Sequence, residues 1–131
     1  VTFRPDPVAL DRVLRGPDGP VARDIQRRTR NVQLKAKDLA PKRSRELERN
    51  ILSRVGIDAR GVLGRVIAGE QLPDARAVWA EYGTREHEIR PVSKKALSFV
   101  VNGRRVTVKK VMHPGTKATH FMTRALDEAR R

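Results

Sequence analysis

Apolar positions recur every three or four residues through the first forty residues, so this stretch is predicted to be helical. Leu10, Val13 and Leu14 share one helical face between the restricting Pro5 and Pro7 and the terminating Gly16-Pro17, which predicts a short packing helix. Val21, Ile25, Thr29, Val32, Ala36 and Leu39 form one stripe of a long helix. It starts at Asp18-Gly19-Pro20, where proline is tolerated in the first turn, and stops before Pro41. Thr29 and Ala36 leave this stripe thin for a coiled coil, so a sheet or another subunit is the expected partner. Ser44 then offers a cap for a further helix with Leu47, Ile51 and Val55 turned inward. Gly56 and the Gly61/Gly64 pair oppose its continuation, and Val62, Leu63, Val66 and Ile67 read as a strand. After Gly69 and Pro73-Asp74, the segment DARAVWAEYGT predicts a helix halted by Gly83. A strand carrying Val78 and Trp79 is the alternative, but the alanines favour the helix.

Beyond Gly83 the period changes to two. Glu88-Ile89-Arg90 precedes Pro91, Leu97, Phe99 and Val101 alternate before Asn102-Gly103, and Val106 and Val108 alternate after it. Asn-Gly between such runs specifies a tight antiparallel hairpin, because both residues tolerate positive φ. Val111 and Met112 lead to a second turn at His113-Pro114-Gly115. Thr119 is placed to cap a terminal helix packed through Phe121, Met122, Ala125 and Leu126, with Arg130-Arg131 fraying outward. The expected fold class is α+β: a single compact domain over residues 1–131, with a mainly antiparallel sheet, one long helix in the N-terminal half and a C-terminal helix.

Charge changes this picture from a fold to a surface. Lysine and arginine total 29 against 15 acidic residues, a formal charge of +14. The first fifty residues contribute +6 and the remainder +8, so no detachable basic tail explains it. Such a field attracts anions, whether nucleic acid or an acidic neighbouring protein. Candidate anionic-surface contacts are Arg23, Arg27, Arg28, Arg30, Lys35 and Lys37 on the long helix, with Lys109 and Lys110 extending the field. The bland alternative is a solvated helix face. Few aromatic residues are available to stack on bases, and no zinc-finger pattern occurs.

Catalytic constellations are not legible. With no cysteine, disulfides, thiol catalysis and cysteine-rich zinc sites are excluded. His87, His113 and His120 with Glu86 or Glu88 match no zinc spacing, and HEIRP lacks the second histidine of HExxH. Ser93 and Ser98 lack an evident base and orienting partner. Neither Gly61-x-x-Gly64 nor HPGTK is a complete phosphate-binding loop. The expectation is a non-enzyme with no cofactor, metal or catalytic residue. No apolar run of transmembrane length or signal-peptide character occurs, so an intracellular product without a membrane partner is expected.

One part of the chain carries more specific information. WAEYGTREHEIRP, KKALSFVVNGR and VMHPGTKATHFMTRAL resemble, in order and spacing, the HK97 gp10-like family of siphophage tail-completion or neck proteins. The likeness covers about residues 75–130. It departs from the family pattern at Thr119-His120, where relatives often carry a proline before the aromatic residue.

The resemblance implies a structural virion protein at the head-to-tail junction or upper tail, present in host cytoplasm during assembly. It further implies a ring of identical subunits, commonly sixfold, bound to head-closure or connector proteins and to tail-terminator or tail-tube proteins. Passage of the genome would bring transient contact with DNA. A basic nucleic-acid-binding module is the alternative function. Candidate subunit or partner contacts are Tyr82, Gly83, Thr84, Arg85, His113, Pro114, Gly115 and Phe121. For Tyr82-Gly83-Thr84, an exposed docking loop competes with an internal corner closed by Tyr82 and Trp79. For Phe121, core packing competes with burial at a subunit boundary.

Overall fold

The computed structural model describes residues 2–130. Helix α1 (Pro7–Arg15) begins where the Asp6 carboxylate accepts the Val8 amide at 3.0 Å, and it ends at Gly16. Helix α2 (Pro20–Leu39) takes Gly19 as its N-cap and Pro20 in its first turn, and Pro41 follows its end. Ala22, Thr29 and Ala36 are its buried positions, while Ile25, Val32 and Leu39 are half-buried beside them. Small residues on this stripe let neighbouring elements come close.

Helix α3 is one turn, Glu46–Arg49, entered through a left-handed Arg45 with φ 57°. The longer helix expected to bury Leu47, Ile51 and Val55 together does not form. Only Leu47 belongs to α3, whereas Ile51 and Val55 lie on strand β1 (Ile51–Asp58). Antiparallel pairing with β2 (Gly61–Ala68), from Ile51 opposite Ala68 to Asp58 opposite Gly61, supplies a full ladder that outweighs helical spacing. Gly64 has a second role here. A Cβ at that position would lie 1.9 Å from the Thr29 hydroxyl oxygen, so its absence is what lets β2 cross α2 so closely.

Helix α4 (Arg76–Tyr82) forms as expected and stops at Gly83. Asp74 accepts both the Arg76 backbone amide at 3.1 Å and its guanidinium at 2.7 Å, and Arg76 also reaches Glu46. Hydrogen bonding from Arg76 therefore holds the Asp74 carboxyl below its ordinary range, despite some desolvation.

The remaining strands form a nested arm. β3 (His87–Ile89) pairs with β6 (Val111–His113), and inside that pair β4 (Leu97–Val101) and β5 (Arg104–Val108) make a hairpin. Asn102 and Gly103, at φ 48° and 77°, close it through the expected turn. Residues 90–96 on one side face only 109–110 on the other, so the inner and outer ladders are separate pieces of sheet. Pro91 cannot donate to a ladder, which fits the interruption. The antiparallel content is thus divided among three two-stranded units, not gathered into one sheet.

Helix α5 (Phe121–Ala129) closes the domain against α2, and Arg131 lies outside the described residues. The core is small: Ala36, Ala40, Leu47, Ile51, Ala80, Phe121 and Ala125, with Val66, Leu72 and Met122 packed around it. Four of those seven buried residues are alanines, so apolar area for folding is modest.

Candidate assembly interface

The expected contact residues converge on the root of the nested arm. Gly83 turns the chain out of α4 at φ 74°, and a Cβ there would meet the Thr116 carbonyl oxygen at 2.5 Å. Thr84 and Thr116 form a bridge, with the Thr84 amide donating to the Thr116 carbonyl at 2.9 Å and the reverse bond at 3.1 Å. The Thr84 hydroxyl also accepts the Thr116 amide at 2.9 Å, so its partner is across the arm and not in its own turn. Gly115, at φ 88°, presses against the same bridge, where a Cβ would stand 2.2 Å from the Thr84 carbonyl oxygen. Close backbone approach therefore demands glycine on both sides.

Tyr82 and Trp79 do not close this corner. They are 71% and 47% exposed and face solvent, so the corner is built from backbone while its aromatic neighbours remain available outside. Arg85 and Pro114 are exposed at the root, and His113 is half-buried. The Gly115 amide donates to His113 Nδ1 at 3.0 Å, and the His113 ring lies 5.1 Å from that of His87 on the opposite strand. His113, Pro114 and Gly115 thus shape the root locally.

Phe121 takes the packing role expected of it, and its placement among candidate subunit contacts is corrected. Its side chain has 0% exposure and sits in the core with Ile51 and Ala125, so it cannot reach a neighbouring subunit. Entry into α5 inserts it inward through His120, which adopts φ 50°. Thr119 is not the cap of that helix: its hydroxyl donates to the Ala80 carbonyl at 2.7 Å.

The cap comes from Glu81, a role that sequence spacing conceals. One carboxylate oxygen accepts the Met122 amide at 2.8 Å, and the other accepts the Thr123 amide at 3.2 Å and its hydroxyl at 2.6 Å. Glu81 is buried. Desolvation raises the affinity of this carboxyl for its proton, but the Thr123 hydroxyl and the two amides outweigh it and leave the pKa below the ordinary value. A carboxylate also suits the positive end of a helix.

Between α2, β2, α4 and α5 runs an open groove of about 720 Å³. Val62, Leu63, Val66, Val78, Met122 and Leu126 give it an apolar lining. Arg28 and Glu81 are the charged groups on its wall, and Glu81 is occupied by α5. A second uncovered surface lies on the inner hairpin of the arm. Its register places Leu97 opposite Val108 and Phe99 opposite Val106 on one face, with Val101 beyond them. Phe99 remains 38% exposed.

The expected basic surface divides in two. On α2, Arg27 and Arg28 both pair with Asp24, and Lys35 pairs with Glu128 at 3.7 Å. The Arg27 hydrogen bond, against some desolvation and with help from the Arg28 charge, holds Asp24 below its ordinary pKa. Arg23, Arg30 and Lys37 make no ion pair among the described residues. Lys110 pairs with Glu88 at 3.0 Å, and Lys109 is exposed beside it. Bonds from Lys110 and then Arg90 lower the Glu88 pKa.

Among the described residues, no group of three or more histidine or acidic side chains is placed to hold a metal, and no helix is long and apolar enough to cross a membrane. Compared with known protein families, with curated proteins and with solved structures, the chain finds no match.

Proposed function

We propose that this protein is a structural subunit of a phage head-to-tail joining ring, assembling with identical copies, commonly six, and with connector and tail proteins. The observation that carries this reading is the pair of uncovered apolar surfaces on one small domain: the groove at Leu63, Val78 and Leu126, and the arm face at Phe99, Val101 and Val106. Isolated two-stranded hairpins are marginal in water, so the arm gains stability when its apolar face is covered. Two different patches on each copy allow head-to-tail contacts, which close into a ring when the rotation between neighbours is right. The resemblance over residues 75–130 supplies the particle in which such a ring would sit. Gly83, Thr84 and Gly115 would hold the arm at a fixed root, while Tyr82 and Arg85 lie exposed beside it.

The test is mass measurement by sedimentation and native mass spectrometry across concentration, alone and with purified joining-region proteins. Several identical copies in one assembly are expected. A protein that stays monomeric under every one of these conditions overturns the reading.

A further inference from the structure

Charge on the arm is distributed differently from charge on α2. Residues 91–110 contain Lys94, Lys95, Arg104, Arg105, Lys109 and Lys110 and no acidic residue. Of these six, Lys110 alone makes an ion pair among the described residues, and it does so with Glu88 outside the segment. On α2, by contrast, Asp24 and Glu128 already compensate Arg27, Arg28 and Lys35. The arm is the part of the surface where positive charge is least compensated.

The pleat sorts these groups. Leu97, Phe99, Val106 and Val108 occupy one face of the hairpin, and the register sends Ser98 with Thr107 and Val100 with Arg105 to the other. Arg105 and Thr107 share this face of β5, and Lys109, at the bend just past its end, continues the alternation along the chain; all three are exposed. At ~3.4 Å per residue, this row of guanidinium, hydroxyl and ammonium spans ~14 Å. Alternate side chains on the row stand ~7 Å apart, so the three groups address about three successive phosphates of one strand.

We propose that the polar face of the β4–β5 arm binds the phosphate backbone of double-stranded nucleic acid, through Arg105, Thr107 and Lys109. The contact reads no bases, because its donors address phosphate oxygens. A duplex supplies the continuous linear anion that this row matches, which scattered carboxylates on a folded acidic protein do not. This inference stands apart from the ring: the apolar face is left free for protein contacts while the opposite face meets the nucleic acid.

The experiment uses the full chain and a fluorescently labelled mixed-sequence 30-base-pair DNA duplex, with anisotropy measured from 50 to 200 mM salt. The two cationic contacts, Arg105 and Lys109, predict a loss of affinity of about 12-fold over that range. Arg105→Glu with Lys109→Glu is expected to weaken binding at least tenfold and to reduce the salt slope by about two. Arg23→Glu with Arg30→Glu on α2 changes net charge equally and is expected to cost under threefold. Arg105→Gln with Lys109→Gln gives the same ordering with a smaller charge change, and thermal melts check that each variant is folded. Equal losses from the two charge-reversal pairs, no binding at 50 mM salt, or binding to phosphatidylglycerol vesicles without binding to the duplex each overturn the proposal. Assembly mass measured on the same samples separates this outcome from failure of the ring.

Discussion

Replacing Glu81 tests whether a side chain 41 residues away in sequence starts the last helix. Glu81→Ala removes three hydrogen bonds, from the Met122 amide, the Thr123 amide and the Thr123 hydroxyl. Loss of an N-cap interaction costs ~0.5–2 kcal/mol, and a hydrogen bond to a charged group contributes ~1.5–3 kcal/mol net. Water can enter the space left by the truncated side chain and recover part of this, so the net cost is expected at ~2–4 kcal/mol. For a domain of this size, that corresponds to a fall in Tm of ~6–16 °C. Glu81→Gln keeps one acceptor and presents an amide donor to another donor, so an intermediate loss of ~1–2 kcal/mol is expected.

The sign of the pH dependence follows from the depressed carboxyl. In the folded protein the bonds from Thr123 and Met122 hold the Glu81 pKa below the ordinary carboxyl range, so its stabilising contribution is present above the unfolded pKa and lost as pH falls through the folded one. The assay is thermal melting of the natural protein and both variants at neutral pH and near pH 3. The gap between the natural protein and Glu81→Gln should narrow in acid, and the titration of Asp24, Asp74 and Glu88 cancels because it is common to both. A Glu81→Ala protein that melts within about 1 °C of the natural one, or a gap that does not change with pH, refutes the reasoning.

Three further outcomes are expected. Gly64→Ala drives a methyl group into the buried Thr29 side chain and should cost ~1–3 kcal/mol by denaturant unfolding, with Gly64→Ala/Thr29→Ser recovering little because serine keeps the hydroxyl oxygen that the new methyl meets. Gly115→Ala combines positive φ with a backbone collision and should destabilise by more than ~2 kcal/mol in the same assay, whereas Gly103→Ala, with open space around it, should cost only the φ term of ~1 kcal/mol. Phe99→Asp and, separately, Leu63→Asp/Val78→Asp should leave secondary structure by circular dichroism intact while abolishing the assemblies seen by native mass spectrometry. If either variant assembles like the natural protein, that apolar surface is not part of the ring contact.

Local patterns were readable in the sequence where the stabilising interactions are themselves local. The α2 stripe ends at proline signals, α4 stops at Gly83, and Asn102-Gly103 forces the hairpin turn; each can be argued from neighbours along the chain. Ile51 and Val55 mislead because a four-residue step suits both a helix face and one side of a strand, and the deciding partner, β2, contributes Ala68 and Gly64 from beyond the turn. The site was harder. Glu81 reads as a surface acid until α5 is folded beside it, Phe121 is drawn into the core with its helix, and nothing adjacent to Tyr82 or Trp79 announces that they remain outside. Phosphate-binding candidates on α2 looked equivalent to those on the arm, because pairing with Glu128 depends on the α2–α5 contact.

The root of the arm also determines how force would pass through the domain. Its two strands leave at Thr84 and Thr116, each a few residues from an element that Glu81, Ala80 and Thr119 fasten together. A pull on the tip would load both strands at once against this fastened base, so the Thr84–Thr116 bridge and the α4–α5 bonds would share the tension. Nearer the tip, the unequal stretches 90–96 and 109–110 break the ladder. Bending would concentrate there, making the β4–β5 hairpin a compliant tether on a stiff anchorage.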